Sequence, residues 1–314
     1  MHFKVLVAFA LVASPVLAAK KPPPPLPLPP LVLDAATPIV TVTIAGQPLR
    51  LRVDPGTASA IEINNSAAAR LGLADPQRRV DGKPVDFGRS VTQVGKVEVS
   101  EVTSDEILTY EGRTLPRRLA WPKGDTVAGA DGLINPRDLP HEEVRYVRRP
   151  VEGTDVMTQL PMRWVSGRGL VGPVKVGGET IDIVITPQAP QTLATAAAAS
   201  ILAARHGGRL TGPAHEVVVT HGVKRPVRDV VFARPVDLAG IRLPSVAARV
   251  FDWSGKTDIP DADRLEGEAV VGGRAGSQRQ WAKLAIGADY LDACAEIVWR
   301  REPLGIALVC PALR

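Results

Sequence analysis

The chain carries one pattern twice. Residues 42 to 61, VTIAGQPLRLRVDPGTASAI, lie over residues 174 to 193, VKVGGETIDIVITPQAPQTL, at a constant offset of 132. Val42 matches Val174, Ile44 matches Val176, Gly46 matches Gly178, and Leu49, Leu51 and Val53 match Ile181, Ile183 and Ile185. Pro55 falls on Pro187 and Ile61 on Leu193. In the first copy Val40, Val42 and Ile44 alternate with Thr41 and Thr43, Ala45-Gly46-Gln47 reads as a turn, and Leu49, Leu51 and Val53 alternate with Arg50, Arg52 and Asp54. That period of two predicts a β-hairpin with one buried face. Alternating hairpins resemble one another by chance, but a helical segment follows each copy. Asn65-Ser66 opens a short helix over Ala67 to Leu71, closed by Gly72, and Leu202 to Gly207 echo its end. Shared hairpin, turn and helix in one order point to a duplicated unit, so the fold must build the same arrangement twice.

Composition agrees with sheets. Aromatic residues are only 4% of the chain while hydrophobic residues are 45%, so the core is built from Val, Leu, Ile and Ala, of which Val and Ile favour strands. The 29 Pro and 28 Gly predict many turns between short elements. Further strands are expected over residues 94 to 102, 144 to 147, 229 to 252, 295 to 299 and 305 to 309, with a short helix around residues 290 to 293 after Gly287.

The first residues are read as a leader. Residues 1 to 19 have a short basic start, an apolar run over Val5 to Ala13, and small residues at Ala18 and Ala19. This is the pattern of a secretory signal peptide, and the run is too short to span a bilayer. An uncleaved anchor is the alternative. Residues 20 to 37, opening KKPPPPLPLPP, are expected to be a proline-rich linker. Residues 38 to 150 and 151 to 314 are then the two halves, with the charged and polar stretch 148 to 158 at their junction. No later window has eighteen apolar residues, so no transmembrane anchor is expected once the signal is removed. Periplasmic or secreted localisation follows. In that setting Cys294 and Cys310, sixteen positions apart, are expected to form a disulfide between the last two strands; two buried free thiols are the alternative.

Several function classes are disfavoured. The formal charge is +5, but basic residues are dispersed as pairs such as Arg78-Arg79 and Arg117-Arg118 whose flanks are not aromatic-rich, so no nucleic-acid partner is expected. His2, His141, His206, His215 and His221 show no zinc spacing, and His215 and His221 read as exposed hairpin residues. No phosphate loop and no Gly-x-Ser-x-Gly elbow occurs. No metal and no cofactor is expected. The stretch around Gly272, Gly273 and Gly276 reads as a flexible rim or flap.

The remaining chemistry lies where the repeated strand ends in Asp54-Pro55-Gly56-Thr57. A strand ending in Asp before a tight Gly turn can hold a carboxylate at the base of a cleft. Two such loops can face each other, and two carboxylates about 3 Å apart share a proton. The segments GQPLRLRVDPGTASAIEI at 46 to 63, Leu71-Gly72, ADGLINPRDLP at 130 to 140 and LAIGADYL at 284 to 291 resemble the retropepsin and pepsin-like aspartic-protease superfamily, in particular exported bacterial retropepsin-like proteins. The resemblance covers most of residues 38 to 310. It implies an all-β, two-lobed aspartic-protease-like β-barrel fold with short helices, a psi-shaped core in each lobe, and Asp54 as the catalytic carboxylate.

The sequence departs from that family's pattern at the loops themselves. The family's Asp-Thr/Ser-Gly is Asp54-Pro55-Gly56 here, and proline removes both the hydroxyl and the backbone donor. The second loop has Thr186 where Asp is expected and Gln188 where Gly is expected, around Pro187. Asn135 stands where the apolar pair of the first half would meet Gly. Pro55, Gly56, Thr57, Thr186, Pro187 and Gln188 are the expected cleft-lining residues. Asp131, Asp182 and Asp289 are the neighbouring carboxylates considered as substitutes, with Asp182 expected on the solvent side of its strand. The expectation is a catalytically degenerate protein that binds an extended peptide or a protein partner in the cell envelope. The alternatives are an active aspartic endopeptidase using Asp54 and a purely structural envelope role.

Overall fold

The structure, a computed structural model, describes residues 28–58, 61–80, 82–238, 240–252, 259–262 and 280–313. The signal peptide, the first part of the proline-rich segment and the glycine-rich stretch at 272 to 276 lie outside the described residues.

The protein is all-β with short helices. The first half contains β1 (Leu31–Asp34), β2 (Ile39–Ile44), β3 (Gln47–Val53), β4 (Ile61–Ile63), α1 (Asn65–Arg70), a small hairpin of β5 (Arg79–Val80) and β6 (Lys83–Pro84), β7 (Gly88–Val94), β8 (Val97–Tyr110), β9 (Arg113–Pro122), β10 (Gly132–Ile134) and β11 (Glu143–Val147). The second contains β12 (Asp155–Pro161), β13 (Arg163–Val165), β14 (Gly169–Val176), β15 (Glu179–Ile185), β16 (Leu193–Thr195), α2 (Ala196–His206), β17 (Gly208–Thr220), β18 (Val223–Leu238), β19 (Ile241–Arg249), β20 (Lys283–Ile286), α3 (Ala288–Leu291), β21 (Glu296–Arg300) and β22 (Gly305–Pro311).

The repeat seen in the sequence reappears as one pairing scheme used twice. The sheet of the first half runs β2-β3-β10-β4-β9-β8-β7, and that of the second runs β14-β15-β20-β16-β19-β18-β17 with β13 added at its edge. In the first, β10 threads between β3, to which it is parallel, and β4, to which it is antiparallel, while β4 runs parallel to β9. In the second, β20 threads between β15 and β16 in the same senses, and β16 runs parallel to β19. The register is preserved as well: Val53 pairs with Ile134, and Ile185 with Ile286. In the first half β2 also pairs with β8 through Thr43–Thr109 and Ile44–Leu108, so six strands close into a barrel.

The expected hairpin is β2–β3. Val40, Val42, Ile44, Leu49, Leu51 and Val53 turn inward and are buried, while Thr41 and Arg50 face water. Burying side chains of this size contributes about 1.5–3 kcal/mol each. Helix α1 begins two residues earlier than the sequence suggests. Asn64 stands at its N-cap but bonds elsewhere: its amide donates to the Val127 and Ala130 carbonyls, and its oxygen accepts from the Thr126 and Val127 amides. That buried network pins the turn-rich stretch 125–131 to the start of the helix. Helix α2 is capped by the Thr195 hydroxyl and ends at Gly207 in the left-handed region. Its alanines let it lie close against the sheet, with Ala196, Ala198, Ala199 and Leu202 fully buried.

A third sheet, β1-β11-β21-β22-β12, brings together the first and last of the described strands. Its inner face carries Val144, Tyr146, Ile297 and Trp299, all buried. The other face carries charge pairs, including Arg300–Glu143 at 2.8 Å and a two-bond Arg145–Glu296 contact. The disulfide Cys294–Cys310 is formed beside this strand pair. The structure revises the linker reading. Leu31–Asp34 is a strand parallel to β11, Leu28 bridges to His141, and the His141 ring sits 2.8 Å from the Pro29 carbonyl and 3.0 Å from the Tyr110 hydroxyl. The segment 20 to 37 therefore joins the folded body from residue 28 onward. The charged junction 148 to 158 is ordered too, by a paired Arg149–Asp155 contact at 2.7–2.8 Å and Arg148–Asp292 at 2.6 Å. Among the described residues no helix is long and apolar enough to cross a membrane.

Candidate functional site

The two repeated strands β3 and β15 end in equivalent loops. The Asp54 amide donates to the Ile134 carbonyl at 2.9 Å, and the Thr186 amide donates to the Ile286 carbonyl at 2.9 Å. The first loop turns back on itself: the Gly56 amide donates to Asp54 Oδ1 at 2.8 Å, and the Thr57 amide and hydroxyl both donate to the Asp54 carbonyl. The second makes the matching turn, with the Ala189 amide donating to the Thr186 carbonyl at 3.0 Å. The loops also meet. A β-carbon at Gly56 would collide with the Thr186 methyl and lie 3.1 Å from the Ile185 carbonyl oxygen, so glycine is required by this close approach. Asp54, Gly56 and Thr186 are thus brought together. Gln188 turns aside and donates to the Ala35 carbonyl at 3.2 Å.

Each loop is braced by the residue after its threading strand, and the two braces differ. In the second half this residue is Gly287. A side chain there would run into the backbone of Ala189 and Gln191 at 2.7 Å. In the first half it is Asn135, whose amide donates to the Pro55 carbonyl at 3.2 Å and the Thr57 carbonyl at 2.9 Å while its oxygen accepts from the Arg137 amide. Pro55 brings no amide hydrogen to the loop, and buried Asn135 ties the loop down by its carbonyls instead.

Asp54 is buried, at 8% exposure. Burial pushes its carboxyl up from 3.8 to about 6, against smaller opposing pulls from the Gly56 amide and the Arg52 guanidinium. Below the loops, burial and the nearby Asp54 carboxylate raise the Tyr146 phenol well above its ordinary value. The Tyr146 hydroxyl and the Trp299 indole nitrogen are buried without a hydrogen-bond partner.

The carboxylates considered as substitutes are each engaged with other partners. Asp131 accepts from the Arg50 amide and pairs with Arg70 at 2.9 Å. Asp289 accepts from both the amide and the hydroxyl of Thr192. Asp182 is not on the solvent side. It is 4% exposed, accepts from the Trp281 indole at 2.8 Å, and faces Arg168 and Arg163 at 3.4 and 3.6 Å. Strand β15 is buried along both faces over its last five residues, which the alternation of its sequence does not reveal. Opposite Asp54, the Thr186 hydroxyl donates to the Ile286 carbonyl at 2.9 Å. The arrangement offers one carboxyl able to gain or lose a proton near pH 6, with no second carboxylate at the matched position to share that proton.

His221 also departs from the sequence reading. It is at a hairpin tip, as expected, but its side chain is only 7% exposed and reaches Glu62 on β4 and Glu101 on β8. Both glutamates are buried on strands far from His221 in sequence, so no local pattern marks them as its partners. Among the described residues, no group of three or more His, Cys, Asp or Glu side chains could hold a metal ion. Compared with known proteins, the chain matches no protein-family model and no curated sequence.

Proposed function

We propose that this protein is a catalytically degenerate member of the aspartic-protease-like folds that binds an extended peptide or a protein partner in the cell envelope. The observation that carries the reading is the loop pair itself: two equivalent loops in contact, with a buried carboxylate on one and a threonine held by its own neighbouring strand on the other. Paired carboxylates that share a proton are the chemistry that justifies such a pair of loops in a peptidase, and the matched position here lacks one. The twice-used threading of β10 and β20 supports the relation to that fold. Binding by strand addition suits the architecture, because β12 is a sheet edge with Val156 and Met157 each 52% exposed.

One observation favours a second reading, an aspartic endopeptidase using Asp54 with a second carboxylate supplied from elsewhere in the chain or by a second molecule: its carboxyl is pushed to about 6, the range useful for proton transfer. Both readings are tested by incubating the protein and its Asp54→Asn variant with a mixed peptide library from about pH 3 to 7. The binding reading expects no cleavage by either protein and retention of the same peptides by both. Cleavage that disappears in Asp54→Asn establishes the endopeptidase instead. No retained peptide or envelope protein at any salt concentration removes the binding reading.

A further inference from the structure

We propose that His221 is a pH-released fastening between the two halves of the molecule, closed when its imidazole is charged and opened when that charge is lost. The residue sits at the tip of the long β17–β18 hairpin of the second half, with φ +50°. From there its Nε2 lies 3.3 Å from Glu62 Oε2 and 3.2 Å from Glu101 Oε1, both on the first-half barrel. Glu62 and Glu101 side chains are 8% and 2% exposed.

The remaining polar atoms are already committed, which aims these three at one another. Glu62 Oε1 accepts from the Thr126 hydroxyl at 2.7 Å, and Glu101 Oε2 accepts from the Ser90 hydroxyl at 2.9 Å with Thr92 at 3.5 Å. His221 Nδ1 is 3.0 Å from the Thr220 hydroxyl. The groups around the contact are thus Glu62 from β4, Glu101 from β8 and the neighbouring Thr220, which meet the ring, and the hydroxyls of Ser90 and Thr92 on β7 and of Thr126, which bond to the two glutamates. Only the two glutamates among them titrate in the acid-to-neutral range. His221 Nε2 and Glu101 Oε1 are buried 3.2 Å apart and, Glu62 aside, have no other polar partner among the described residues, so each depends on the other. With the imidazolium present, one cation stands between two carboxylates. Without it, two carboxylates are left buried and facing a neutral ring, which is strongly unfavourable.

The direction with pH follows. Burial pushes His221 down, but Glu101 and Glu62 push it up by more, so it ends above 6.5. A raised histidine stabilises the closed form fully below 6.5 and loses that contribution as pH climbs through its folded value. For Glu62, burial outweighs the pull of His221 and Thr126 and raises it above 4.5; that contribution too is lost as pH rises. Burial also raises Glu101, but His221, Ser90 and Thr92 outweigh it and hold the group below 4.5, so its contribution survives until strongly acidic pH. At mildly acidic pH the charged His221 and the ionised Glu101 hold the fastening closed, and loss of the His221 charge releases it as pH rises.

A second hairpin tip makes the contrast. Gly95, between β7 and β8, lies against Asp252 of the second half, where Arg225 and Arg249 clamp that carboxylate at 2.6 Å each. Each half therefore sends a hairpin tip onto the other, and among the described residues no histidine takes part in this second contact.

Hydrogen exchange of the full chain, read by mass spectrometry at about pH 6 and pH 8.5 and corrected for intrinsic rates, tests the idea. Peptides covering Val217 to Lys224 are expected to lose protection by about tenfold or more at the higher pH, while those covering Thr92 to Val97 keep theirs. His221→Gln is expected to show low protection at the hairpin tip at both pH values. Equal protection in the wild type at both, or a pH response surviving in His221→Gln, overturns the proposal. A proton NMR titration of the His221 ring in the wild-type protein decides the matter even where the variant does not fold: a midpoint above 6.5 supports the fastening, and one below refutes it.

Discussion

Replacing Asp54 with Asn removes the ionisation that burial opposes while keeping the shape and the oxygen that accepts from the Gly56 amide. In the folded protein the carboxyl titrates at about 6 against 3.8 for the ordinary group. At 1.36 kcal/mol for each tenfold change, that gap is worth about 3 kcal/mol. A raised carboxyl means that the folded state binds the proton more tightly. Its contribution is complete below 3.8 and lost as pH rises through about 6. At 8% exposure solvent screening removes little of it. Asparagine imitates the protonated form at every pH. The difference in unfolding free energy between variant and wild type is therefore expected to move by about 3 kcal/mol in favour of the variant between about pH 3.5 and 7.5, equivalent to roughly 6–12 °C in melting temperature. Urea unfolding of both proteins at four pH values across that range measures it. Contributions from His221, Glu62 and Glu101 cancel in the difference. A difference constant with pH, or one that moves in favour of the wild type, refutes the view that burial governs Asp54.

Two further outcomes rest on the same geometry. Asn135→Ala leaves the Pro55 and Thr57 carbonyls without their buried donor and is expected to lower stability by about 2–3 kcal/mol. It should also raise amide exchange at Gly56 and Thr57 ahead of the rest of the first half, as hydrogen exchange would show. Changing Cys294 and Cys310 together to Ser opens the loop they close and is expected to lower stability by about 3 kcal/mol; an unchanged urea midpoint in the double variant contradicts the chain-entropy argument.

The features legible in the sequence were those written in local periodicity. Alternation at Val40, Val42 and Ile44 and at Leu49, Leu51 and Val53 marked the first hairpin, and the constant offset to Val174 and Ile185 marked its copy. Because the copies run in register, Asp54 and Thr186 could be matched before any geometry was known, and their amides do bond to equivalent carbonyls. What stayed hidden was set by contacts between distant segments. His221 looked like a solvated turn because nothing within ten residues names Glu62 or Glu101 as its neighbours. Asp182 looked solvent-facing because strict alternation assumes one wet face, whereas β15 is covered on both. Asn65-Ser66 reads as the opening of the first helix, whereas the residue at its N-cap is Asn64, whose four bonds go to a loop some sixty residues away. Leu31–Asp34 was masked by the prolines before it.

The third sheet has a consequence in time as well as in space. Once Ile134 has been made, the nascent chain holds every strand of the six-stranded barrel. Strand β11, made soon afterwards, has only the short β1 as a partner until Glu296–Arg300 arrives, and β12 waits for Gly305–Pro311, the last of the described strands. Until then Tyr146 and Val144 belong to an unfinished sheet with an open edge, which is the state most prone to wrong pairing. Completion of this sheet is thus deferred until Gly305–Pro311 has been made. A chain cut short before Glu296 would keep its barrel strands yet lack the partners that close the sheet carrying Tyr146, near the Asp54 loop.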